Sequence, residues 1–169
     1  MNHSHRSKLW FSAICLLLMF GAAIADSRKD EPTDSKELDQ IFQRSTLQIA
    51  TPDARLHRFN IWMADDEARR NRGLMFVKHL NTGDGMLFVY PQPQMIAMWM
   101  KNTLIPLDML FVAPDGKVTH VVANTEPHSL KTVESNGMVM GVVELAGGTA
   151  ARLKIAPGAQ VIHPAFAKK

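Results

Sequence analysis

"LDMLFVAPDGKVTHVVA" (Leu107–Ala123) holds two apolar runs on either side of Pro114-Asp115-Gly116. Pro, Asp and Gly in that order suit a type I turn, so the stretch reads as two antiparallel strands joined in a hairpin. The first strand carries a difficulty. At strand periodicity Asp108 shares a face with Leu110 and Val112, while Leu107, Met109 and Phe111 face the other way. In a sheet curved enough to cover both faces, Asp108 is buried, and a buried carboxylate is costly unless partnered. It therefore needs a cation or several N–H donors. Lys101 and Arg72 are the candidate cations, and the turn "KNTLIP" (Lys101–Pro106) is the candidate source of N–H groups.

Outward from this hairpin the same short runs recur. "RLHRFNIWMA" (Arg55–Ala64), "GMLFVY" (Gly85–Tyr90), "MIAMWM" (Met95–Met100), "GVVEL" (Gly141–Leu145) and "AQVIH" (Ala159–His163) are bounded by Gly, Pro, Asn or Asp. Two short helices interrupt them. "DDEARRNRG" (Asp65–Gly73) opens on Asp65 as N-cap, and Gly73 closes it in a left-handed cap. "GTAARLKIAPG" (Gly148–Gly158) is capped by Thr149 and stops before Pro157. The expected fold is mainly β, a β-barrel-like or strongly curved antiparallel sheet with one or two short helices. It occupies residues 44–166 as a single compact domain.

The residues before it read differently. "MNHSHRSK" is basic, "LWFSAICLLLMF" (Leu9–Phe20) is apolar, and Ala23-Ile24-Ala25 has the small-x-small pattern of a cleavage site. Residues 1–25 thus have the layout of a secretory signal peptide cut after Ala25, which places the mature protein in the periplasm or outside the cell. An uncleaved anchor is the lesser alternative, because Leu9–Ala25 is at the short end of the ~20 residues a membrane span needs. Residues 26–43 are polar and charged, and read as a flexible tether.

Removing residues 1–25 takes away Arg6, Lys8 and the single Cys, so 19 Lys+Arg become 17 against 16 acids, and a formal charge of +3 becomes about +1. No basic stripe remains that would suit nucleic acid. No disulfide framework is available, and stability must come from an ordinary core. The five mature histidines, His57, His79, His120, His128 and His163, lack zinc-type spacing. No cofactor is implied.

Several motifs occur together in one order: "RNRGLM" (Arg70–Met75), "GMLFVY", "WMKNTLIPLDMLFV" (Trp99–Val112), "DGKV" (Asp115–Val118) and "VVELAGGTAARLKIAPGAQV" (Val142–Val161). In these the chain resembles, from Leu47 to His163, the bacterial and archaeal family catalogued as domain of unknown function 192. The resemblance implies a small barrel-like β domain, often exported behind a signal peptide or anchor, and no established activity. Met98 departs from the family, which carries an aromatic before the Trp, and "TEPHSLKTVESNGMVM" (Thr125–Met140) matches no family pattern.

Three functional readings remain open. The first is a binding or accessory module rather than an enzyme. Its polar pocket, formed by Trp99, Lys101, Asn102 and Asp108 with Arg72 nearby, would hold a small polar or anionic ligand or a peptide. The second is a hydrolase or lyase using Asp108 and Glu144 as paired carboxylates, although Glu144 reads more simply as a strand-end group hydrogen-bonded to the following turn. The third is periplasmic Cu(I) handling by Met95, Met98 and Met100 with Met138 and Met140. Thioethers suit Cu(I), but methionine is also the routine filler of irregular cores.

Overall fold

A computed structural model describes residues 35–166. The segment read as a signal peptide and the first part of the segment read as a tether lie outside the described residues. In chain order the elements are α1 (Ser35–Ile41), β1 (Gln43–Ala50), β2 (Leu56–Ala64), α2 (Glu67–Arg72), β3 (Asp84–Gln94) and β4 (Ala97–Met98). They continue as β5 (Leu107–Val112), β6 (Val118–Val122), β7 (Val133–Glu134), β8 (Val139–Ala146), α3 (Thr149–Leu153) and β9 (Gln160–Ile162), with a last 3-10 turn at Pro164–Phe166.

Seven strands form one sheet in the order β6-β5-β8-β3-β2-β1-β9, and β4 pairs with β7 in a separate ribbon. The two ends of the large sheet meet. Val118 N–H donates to the Ala159 carbonyl and Gly158 N–H to the Val118 carbonyl, each at 2.8 Å. Lys117 and Gln160 form a further antiparallel bridge. The sheet is a nearly closed barrel, as its patterning predicts. The opening hairpin is also as read. Gly116 at φ 82° lets the turn close, and its N–H reaches the Ala113 carbonyl at 2.9 Å.

One pairing departs from the antiparallel expectation: β2 and β3 run parallel, with Asn60 beside Asp84 and Ala64 beside Phe88. Parallel neighbours need a crossover, which the chain between β2 and β3, carrying α2, supplies. The helix starts one residue later than its first Asp suggests. Asp66 is the N-cap, and its carboxylate accepts Arg69 N–H at 2.8 Å.

Both faces of the barrel wall are buried. Leu47, Ile61, Leu87, Leu110, Val112, Val143 and Leu145 belong to one apolar cluster. Trp62, Met86, Phe88, Leu107, Met109, Phe111 and Val142 belong to a second, on the opposite side of the same strands. The alternation read along β5 therefore holds, with Met109 and Leu110 in different layers. Outer cover comes from Leu74, Val77, Ile96 and Met100, and from Leu38 and Phe42.

The last two residues correct the tether. Leu38, Ile41 and Phe42 have the i, i+3, i+4 spacing of a helix stripe, and Leu38 and Phe42 are 0% and 3% exposed. Asp39 accepts the indole N–H of Trp62 at 2.7 Å, and the Arg44 guanidinium lies 4.1 Å from the Trp62 ring centroid. The folded unit thus begins by Ser35, not Arg44. Asp39→Ala should leave the Trp62 N–H without its acceptor and cost about 1 kcal/mol in urea unfolding. No change in the midpoint would show that α1 is not anchored through this bond.

Candidate functional site

Asp108 has no exposed surface. Its Oδ1 accepts the N–H of Asn124 at 2.8 Å and of Gly148 at 3.1 Å, and its Oδ2 accepts the N–H of Ala150 at 2.7 Å. The donors are backbone groups, as a scaffolding role requires, but they come from distant loops and not from Lys101–Pro106. Thr149 does not cap α3. Gly148 is the N-cap and has no side chain, so the Asp108 carboxylate supplies the cap from β5. Asp108 joins three segments of chain and has no opening to a ligand.

The other members of the expected pocket part company. Lys101 is exposed, with Nζ 5.4 Å from the Trp99 ring centroid. Asn102 is a turn residue at φ 56°, and its carbonyl accepts Phe76 N–H at 2.8 Å. Arg72 Nη1 donates to the carbonyls of Met75 and Gly73. Since Lys101 is not the counter-ion of Asp108, Lys101→Ala should change unfolding free energy by under about 1 kcal/mol, the scale of an exposed cation–π contact. A loss of several kcal/mol would restore the pairing.

The paired-carboxylate reading is excluded by register. Residues opposite one another in an antiparallel ladder point to the same face. Asp108 lies opposite Leu145, whereas Glu144 lies opposite Met109. Asp108 therefore points with the inner cluster and Glu144 with the outer one, and the two cannot share a reaction centre. The methionines separate in the same way. Met100 is in the outer cluster with its sulfur 3.1 Å from Thr125 Oγ1, and Met140 packs against the inner one. Met95 and Met138 are exposed. The five methionines are thus spread over the inner layer, the outer layer and the surface, and do not form one cluster.

What the structure does assemble is a cavity of about 350 Å³ on the outer face. The end of α2 and the loop after it contribute Arg70, Asn71, Arg72, Gly73, Leu74 and Met75; β3 contributes Phe88 and Tyr90. Ala97, Met98 and Trp99 form another wall with Thr103 and Thr132, and Glu144 enters from β8. Gly73 is required here. Its φ is +46°, and a Cβ would come within 3.2 Å of Phe88 Cζ.

Arg70 and Glu144 differ in how they are held. Arg70 Nη1 donates to the Val89 carbonyl at 2.9 Å, and its guanidinium lies 5.0 Å from the Tyr90 ring centroid. The Tyr90 hydroxyl in turn reaches Met98 Sδ at 3.8 Å. The Glu144 side chain is 3% exposed and makes no hydrogen bond or ion pair among the described residues. The expected bond to the following turn is not made. Desolvation pushes its pKa up to about 8, so at neutral pH it is mostly a neutral carboxyl carrying an O–H donor. Burial raises the Tyr90 phenol, with Arg70 opposing. Burial also lowers Arg72, though a guanidinium remains charged.

A family model described as DUF192, Uncharacterized ACR, matches residues 48–163. The chain belongs to DUF192. Two solved structures are similar to this DUF192 domain. A protein from Sinorhizobium meliloti 1021, described as a candidate transcription regulator, is 35% identical with a TM-score of 0.72 over 73% of this chain and 96% of its own. A protein of unknown function from Novosphingobium aromaticivorans DSM 12444 is 35% identical with a TM-score of 0.70 over 72% and 86%. No curated protein matches the chain.

Of the residues expected at the site, the DUF192 cavity takes in Trp99, Arg72, Met98 and Glu144, and leaves out Lys101, Asn102 and Asp108. Arg70, Phe88, Tyr90 and Thr103 were not among the expected site residues. The signal was present, since "RNRGLM" and "GMLFVY" are family motifs in their own right. Arg70 and Gly73 stand in the first, and Phe88 and Tyr90 in the second.

Proposed function

We propose that this DUF192 chain acts, after export, as a small-ligand-binding module, and that the cavity beside Glu144 is its binding site. The observation that carries the proposal is Glu144 itself. Among the described residues only His57 Nε2 is a fully enclosed side-chain polar atom without a hydrogen-bond partner. The Glu144 carboxyl, which is 3% exposed and has no hydrogen bond to the described protein groups, therefore opens onto the cavity. Here the carboxyl lines a cavity, where a ligand can supply the missing partner. Apolar walls with a few convergent polar groups and one strongly shifted titrating residue are the usual anatomy of such a site.

The size favours a small molecule over a peptide, because about 350 Å³ is near the lower limit of ligand pockets. A hydrolytic pair is disfavoured by the opposed faces of Asp108 and Glu144. The regulator description of the Sinorhizobium relative is not carried over, since the sequence carries no basic stripe or aromatic-basic interleaving of the kind that binds nucleic acid. Export rests on the composition of residues 1–25. Chemical-shift mapping of a small-molecule mixture on the chain from Asp26 onward tests the site. Binders should move the resonances of Tyr90, Trp99 and Glu144. Binders that map only to other surfaces would refute it.

A further inference from the structure

Two of the three aromatic rings at the cavity already carry a cation of the protein: Arg70 on Tyr90 at 5.0 Å and Lys101 on Trp99 at 5.4 Å from the ring centroids. A cationic ligand would find these faces taken. It would also meet repulsion, since the charged groups lining the cavity are Arg70 and Arg72 from α2, with Tyr90 from β3 and Glu144 from β8 as the titrating ones. With Glu144 neutral the lining carries no negative charge, and Glu37 of α1 acts on Arg72 from outside it. Beyond its bond to Val89, the Arg70 guanidinium has no further hydrogen bond among the described residues, and its planar fork matches the two oxygens of a carboxylate. Leu74, Phe88 and Met98 make the space between apolar. At about 350 Å³ the space suits a small guest.

Resting on the cavity as a binding site, we propose that its ligand is a small organic carboxylate. The charged end lies on Arg70, and a hydroxyl or carbonyl oxygen at the other end accepts a hydrogen bond from Glu144. Arg70 and Arg72 stay charged through the neutral and mildly alkaline range, and Tyr90 stays neutral, so Glu144 alone governs the pH dependence. When it ionises, the donor is lost and a second negative charge faces the ligand. With a pKa of about 8, affinity should fall about tenfold between pH 7 and pH 9.

The test uses the labelled chain from Asp26 onward at constant ionic strength, with three probes: 4-hydroxybutyrate, the amine 4-aminobutan-1-ol and neutral butane-1,4-diol. The hydroxycarboxylate should shift the methyl signals of Leu74 and Met98 and the indole signal of Trp99, and the other two should not. Arg70→Gln should weaken it by about tenfold or more, the value of one charge-assisted hydrogen bond, and Arg70→Lys should weaken it less. Glu144→Gln, which keeps a donor and removes the titration, should abolish the fall in affinity between pH 7 and pH 9, whatever its affinity at pH 7. Amine or diol binding without the carboxylate would overturn the ligand class and leave the cavity a binding site. Carboxylate binding unaffected by Arg70→Gln, in a variant that keeps the native spectrum, would also overturn it. Silence from all three probes would overturn the class and the binding site together.

Discussion

Asp108→Ala should destabilise the domain by at least about 3 kcal/mol, because three buried or half-buried N–H groups lose their acceptor at once and each unsatisfied group costs about 1–3 kcal/mol. The donors, Asn124, Gly148 and Ala150, stand 16, 40 and 42 residues away in sequence, so the carboxylate closes two long loops as well as capping α3. Asp108→Asn should recover only part of the loss. It keeps one acceptor oxygen but turns an NH2 toward N–H donors. Lys101→Ala combined with Asp108→Ala should be additive within about 0.5 kcal/mol, as expected of residues without shared partners. Denaturant unfolding of the two single mutants and the double mutant measures all of this. A neutral Asp108→Ala would mean that the three hydrogen bonds do not hold the fold.

The second large effect is a pH dependence. The folded-state pKa of Glu144, about 8, lies above the ordinary 4.5, so the folded protein binds the proton more tightly than the unfolded chain. The stability this contributes is fully present below pH 4.5 and is lost progressively as pH rises through 8. Each pH unit in that window costs about 1.4 kcal/mol. Glu144→Gln keeps the shape and a donor and removes the titration. The difference between mutant and wild-type stability should therefore move by about 3–5 kcal/mol in favour of the mutant between pH 4 and pH 9. Every other titrating group is common to both proteins and cancels. Parallel stability curves would place Glu144 in water or beside an unseen cation.

Asp108 shows how far sequence reaches and where it stops. Periodicity alone put it on the Leu110–Val112 face, and burial there required a cation or several N–H donors, of which the structure supplies the donors. Which donors could not be read, because Gly148 and Ala150 arrive through the non-local pairing of β5 with β8 and Asn124 through the residues that follow β6. The separation of Asp108 from Glu144 was legible only once register was known, since a one-residue offset moves a side chain to the other face. Leu38 was misjudged for a different reason. A polar average over residues 26–43 hid an i, i+3, i+4 stripe, which is a short helix signal and needs no average. The cavity is the least local feature. Its walls come from α2, β3, the β4–β7 ribbon and β8, and no single stretch of sequence contains it.

The most direct measurement is a carbon-13 NMR titration of the Glu144 side-chain carboxyl, assigned by comparison with Glu144→Gln, with and without 4-hydroxybutyrate. In the free protein it should titrate near 8, and saturation with the probe should move the midpoint upward, because a bound carboxylate opposes ionisation. A midpoint near 4.5 that the probe leaves in place would contradict both the buried, unpartnered carboxyl and the ligand site built on it.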